Sequence, residues 1–113
     1  MYRSLLTLLL GLVVAAPVAA SGGLVAKVGP GSTVILRSSS GQTVTRLRPG
    51  TYRIVVSDAS RTGNFHLVGP RTDKKSGIAF VGRMTWTLKL GPGLYRYGSD
   101  RAGKTKSFRV VST

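Results

Sequence analysis

One histidine, His66, and three aspartates, Asp58, Asp73 and Asp100, are the acid–base side chains of this sequence; it has no glutamate and no cysteine. Without cysteine the chain can form no disulfide, zinc–thiolate cluster, iron–sulfur cluster or blue-copper thiolate, and it has no thiol nucleophile. Hydrolytic or transfer catalysis requires a nucleophile beside a base that a third group orients. His66 sits in the run NFHLV with no carboxylate close by in sequence, and the aspartates are isolated from one another. Asp58 and Asp100 each end a run containing Tyr-Arg, where aspartate commonly bonds local backbone amides. No glycine cluster is followed by Lys-Ser or Lys-Thr in phosphate-loop form. The expectation is a protein with no catalytic residues and no resident cofactor.

What the chain has in excess is positive charge: 17 Lys plus Arg against three Asp, a formal net charge of +14. The densest groups are Lys74-Lys75, Arg46 with Arg48, and the run Arg101, Lys104, Lys106, Arg109. A field of this sign attracts polyanions, so anionic polymers or an acidic protein partner are the expected ligands, with Arg101, Lys104, Lys106 and Arg109 as the candidate anion-binding residues. Tyr95 and Tyr97 flank Arg96 in the manner of a base-stacking platform. Packing into the core is the stronger expectation for them, and no specific nucleic acid is expected.

These residues need elements to position them. Residues 1–20 read Met1, Tyr2, Arg3, then an apolar and small-residue run to Ala20, the order of a secretory signal. The same run is near the lower limit for an uncleaved membrane anchor, against which Pro17 argues. The expected location is therefore secreted or on the envelope side, with residues 21–113 as one domain. Many small exported domains rely on disulfides, whereas this one must rely on apolar burial alone.

Glycine and proline punctuate the domain at Gly29-Pro30-Gly31, Pro49-Gly50, Gly69-Pro70, Gly77 and Gly91-Pro92-Gly93, and short runs rich in Val, Ile, Thr, Tyr and Trp lie between them. This spacing predicts an all-β sandwich or barrel of about seven to eight strands. They are expected over Leu24–Val28, Thr33–Arg37, Gln42–Leu47, Tyr52–Asp58, Asn64–Val68, Met84–Leu90, Tyr95–Ser99 and Ser107–Val111. Tyr52, Ile54 and Val56 share one parity, as do Met84, Trp86, Leu88 and Leu90, so these strands should have one buried and one wet face. Phe65 with Leu67 and Phe108 with Val110 extend the same core, which turns His66 and Arg109 outward. One internal echo links LRPGTYR at Leu47–Arg53 to LGPGLYR at Leu90–Arg96. Pro-Gly in each copy suits a type II turn, used twice.

The runs PGTYRIVVSD, NFHLVGP, Thr85-Trp86-Thr87-Leu88, PGLYRYGSD and Ser107-Phe108-Arg109-Val110 together resemble the cupredoxin (plastocyanin/azurin-type) family of small exported bacterial proteins. The resemblance spans Val44 to Val110 and implies a Greek-key β-sandwich. In members that bind copper it also implies two histidines, a cysteine and a methionine as ligands. Carried over residue by residue, those positions fall on Gly63, Ser99, Ala102 and Lys104. The final loop that holds the last two is shorter than the family's. His66 corresponds to a non-ligand histidine of the family pattern and is a weak metal candidate. Two functions follow from the resemblance: a copper-free binding or structural module with a basic surface, or a copper-binding electron carrier. A third reading, an envelope protein that only pairs with other exported proteins, stays open beside the first.

Overall fold

In the computed structural model, which describes residues 22–112, the alternating runs become strands: β1 Gly22–Val28, β2 Val34–Ser38, β3 Arg46–Leu47, β4 Gly50–Asp58, β5 His66–Gly69, β6 Thr72–Lys75, β7 Gly82–Leu90, β8 Gly93–Gly98 and β9 Thr105–Val110. They form two mixed sheets ordered β2-β1-β4-β7 and β3-β9-β8-β5-β6. The pairs β1–β4 and β3–β9 are parallel and the rest antiparallel. The fold is all-β and sandwich-like, with one shared core. The expected signal segment lies outside the described residues, and no helix within them is long and apolar enough to cross a membrane.

Parity puts the core where the sequence predicts it. Tyr52, Ile54 and Val56 are buried on β4, and Arg53 between them is exposed. Trp86 and Leu90 are buried on β7, with Met84 and Leu88 packed against the same cluster. Phe65 lies 5.7 Å from Trp86, centroid to centroid, which joins the two sheets through an aromatic contact. Tyr95 stacks on Phe108 at 5.2 Å, and Tyr95 and Tyr97 are both buried. The stacking-platform arrangement is therefore not formed: both rings belong to the core. Tyr95 packs so closely that a Cβ on Gly69 would lie 2.1 Å from its Cδ2, so that strand position accepts only glycine.

Three local expectations change. The strand expected over Gln42–Leu47 is reduced to β3, because this stretch serves both sheets. Val44 N donates to Leu36 O and Thr43 bridges Arg37 on one side; on the other, Thr45 O accepts from Arg109 N. The all-polar β6 was missed. It is an exposed edge strand whose Thr72-Asp73-Lys74-Lys75 sequence shows no alternation, and charged edges of this kind resist pairing with other chains. Finally, neither Pro-Gly turn is type II: Gly50 has no positive φ, and Gly93 sits at 146°, far from the value near +80° that this turn requires. What the two copies of the echo share is the tyrosine. Tyr52 Oη donates to Arg48 O at 2.7 Å, and Tyr95 Oη donates to Gly91 O at 2.9 Å. Each pins the chain as it enters β4 or β8, in the manner of a tyrosine corner.

Candidate functional site

The four positions to which the cupredoxin resemblance assigns copper ligands gather at one end of the sandwich, where β8 leaves its sheet. Ser99 directly follows β8, Ala102 and Lys104 lie in the β8–β9 connection, and Gly63 precedes β5. Ser99, Ala102 and Lys104 line a shallow groove of about 190 Å³ together with Val34, Tyr97 and Lys106.

The centre of this corner is Asn64, 1% exposed. Its Nδ2 donates to Ser76 O and to Asp100 Oδ2, both at 3.0 Å. Its Oδ1 accepts from Asp100 N at 2.8 Å and from the Ser99 hydroxyl at 3.3 Å. All four hydrogen-bonding positions of the amide are thereby filled. Ser99 Oγ also accepts from the backbone N–H groups of Asn64 and Arg101, and Ser76 Oγ accepts from Phe65 N. One buried amide thus ties together the β4–β5, β6–β7 and β8–β9 connections, a polar network with every member satisfied.

Copper does not fit this donor set. Gly63 and Ala102 offer no donor atom, Lys104 offers an ammonium, and the Ser99 hydroxyl is engaged with Asn64 and Arg101. A hydroxyl that stays protonated near neutrality makes no bond comparable to a copper–thiolate. Among the described residues, no group of three or more His, Cys, Asp or Glu side chains is arranged to hold a metal ion.

His66 is not isolated. Its Nδ1 lies 2.6 Å from Asp100 Oδ1 and its Nε2 lies 2.6 Å from Asp73 Oδ1. The register explains the meeting: His66 faces Lys75 across the β5–β6 pair, which places Asp73 diagonally beside it on the outward face, and it faces Gly98 of β8, two residues before Asp100. A neutral imidazole has one donor and one acceptor nitrogen, so two short contacts to carboxylates favour the imidazolium. Burial of the ring lowers its pKa, but the hydrogen bonds and charges of Asp100 and Asp73 outweigh that and raise it above the ordinary 6.5. Asp100 is held below the ordinary 3.8 by the hydrogen bonds from His66 and Asn64. With both nitrogens held, the ring has none left to deprotonate a hydroxyl or to bind a metal. Asp58 behaves as sequence suggests: its Oδ1 accepts from Ser60 N at 2.8 Å. Its Oδ2 is buried without a partner, and burial pushes its pKa up.

The four candidate anion-binding residues do not share one face. Arg101 and Lys104 are exposed on the β8–β9 connection. Lys106 has the parity of the buried Phe108 and Val110 and reaches back to donate to Val34 O at 2.9 Å. Arg109 points outward at the far end of β9, paired with Arg46 of β3.

Sequence reasoning missed Asn64 and the Asp73–His66–Asp100 clamp. For Asn64 the only available signal was its place beside Gly63 in the family pattern. For the clamp, the alternation that turns His66 outward was legible, but its partners were not. No known protein-family profile matches the chain, and no curated protein matches it by sequence.

Proposed function

We propose that the protein is an exported, non-catalytic module with a cupredoxin-like Greek-key sandwich and no blue-copper site, and that it binds anionic polymers or acidic partners through its basic surface. The observation that carries the reading is the corner around Asn64, where a set of hydrogen bonds fills the place in which the resemblance would put copper ligands. The topology supports the fold: only β1–β2, β5–β6 and β8–β9 are hairpins within a sheet, and every other connection crosses between sheets. The apolar residues 1–20 support export. The engaged nitrogens of His66 and the satisfied hydroxyl of Ser99 support a non-catalytic role, and the +14 charge supports a polyanionic ligand.

The test is binding of the purified protein to long-chain inorganic polyphosphate across a salt series. Binding by counterion release falls steeply and linearly on a log–log plot of affinity against salt. Binding that is absent at low salt, or that ignores salt, would contradict the polyanion reading.

A further inference from the structure

The registers bring five cations onto the outward face of the four-stranded sheet. Lys27 of β1 stands in one cross-strand row with Ile35, Ser57 and Arg83. Arg37 shares the next row with Val25, Val55 and Thr85; Arg53 pairs with Thr87 in the third; Lys89 pairs with Thr51 in the fourth. All five cations are exposed. No carboxylate shares the face: Asp58 has the inward parity and is 2% exposed, and Asp73 and Asp100 belong to the His66 clamp at the other sheet. With strands ~4.8 Å apart and alternate residues ~6.8 Å apart, the face covers roughly 14 by 20 Å.

The cations are spread over the whole face and do not converge on one point. No single small anion can therefore engage more than one or two of them, whereas a linear chain of charges can engage all five. Thr51, Ser57, Thr85 and Thr87 put hydroxyl donors between them, suited to phosphate oxygens. No aromatic side chain lies on the face to stack a base. The apolar members Val25, Ile35 and Val55 are half-buried in the pleat and do not protrude to enter a lipid layer.

We propose that this face is the polyanion-binding surface and that its occupant is a linear phosphate polymer without bases, held by Lys27, Arg37, Arg53, Arg83 and Lys89. The inference rests on the polyanion reading above and moves its site from the Arg101–Arg109 run to the opposite sheet.

The test uses long-chain polyphosphate, a single-stranded oligonucleotide and anionic phospholipid vesicles as probes, each over a salt series. The variants are R37Q/R53Q/R83Q and K27Q/K89Q on the face, with R101Q/K104Q as the loop control. Each cation removed should reduce the log–log salt slope by ~0.7, so the triple variant should lose about 2 units of slope, and its affinity should fall at least about tenfold at low salt. The double face variant should lose about 1.4 units, while the loop variant stays within about twofold of the parent. The two face variants change separate exposed positions, so a folding failure in one leaves the other as the test, with β circular dichroism as the check. Loss in the loop variant with retention in both face variants overturns the site but leaves the polyanion reading. Tighter binding of the oligonucleotide or the vesicles than of polyphosphate overturns the occupant. No binding of the parent to any probe overturns both.

Discussion

Asn64 and His66 are two residues apart, and both meet Asp100, 36 and 34 positions away. Asn64 donates to a carbonyl and a carboxylate at once, so Asn64→Asp would turn two donors into an acceptor facing acceptors. We expect this variant to lose about 2–4 kcal/mol of unfolding free energy at pH 7 in urea denaturation, more than Ser99→Ala, which leaves the amide in place. The His66 clamp predicts a pH dependence. His66 is raised above 6.5, so its contribution is complete below that value and fades as pH rises through the higher folded one. Asp100 is lowered from 3.8, so its contribution is complete above that value and fades as pH falls through the lower folded one. Between pH 3.8 and 6.5 both are present. The stability gap between the parent and His66→Gln should therefore be widest in that window, at about 1 kcal/mol because Asp73 and Asp100 are substantially exposed, and should narrow as pH rises above it. Using the difference removes Asp58, whose raised pKa costs stability in both proteins as pH rises. A gap that is flat with pH would mean that the ring sits neutral between its partners. The Asp58 turn, between residues two apart, was legible in sequence, whereas the clamp joins residues 7 and 34 apart and needs the register.

At the scale of elements, alternation was a sufficient guide wherever one face is buried. β4 and β7 lie where Tyr52-Ile54-Val56 and Trp86-Leu88-Leu90 put them, because a slip of one residue would turn those side chains into water. The failures have physical causes. β6 buries no side chain of its own and so leaves no pattern, and β3 is the short end of a segment divided between two sheets. The repeated Leu-x-Pro-Gly-x-Tyr-Arg motif was visible, but its turn type was misjudged because the tyrosine, four residues beyond its acceptor, organises the bend. Tyr52→Phe and Tyr95→Phe should each cost about 1 kcal/mol, measured by chemical denaturation, with the ring packing unchanged. A cost near zero for both would leave the shared motif without a structural role.

For the whole molecule, the excess of positive charge was plain from composition, whereas its distribution was not. Pairing between strands draws the outward aspartates to the five-stranded sheet and leaves five cations facing out from the other, a segregation that emerges only when registers are known. The absence of cysteine was legible at once and excludes a thiolate ligand, but the hydrogen-bonded filling of the corner by Asn64, Ser99 and Asp100 required the fold. On the reading proposed above, a polar network centred on Asn64 fills this corner in place of metal ligands. The most direct test of that reading is metal content and visible absorption of the purified protein after incubation with Cu(II) and removal of the excess. Substoichiometric copper, no intense visible band and an unchanged β circular-dichroism spectrum are the expected result. One tightly held copper per chain with an intense visible band would contradict the reading.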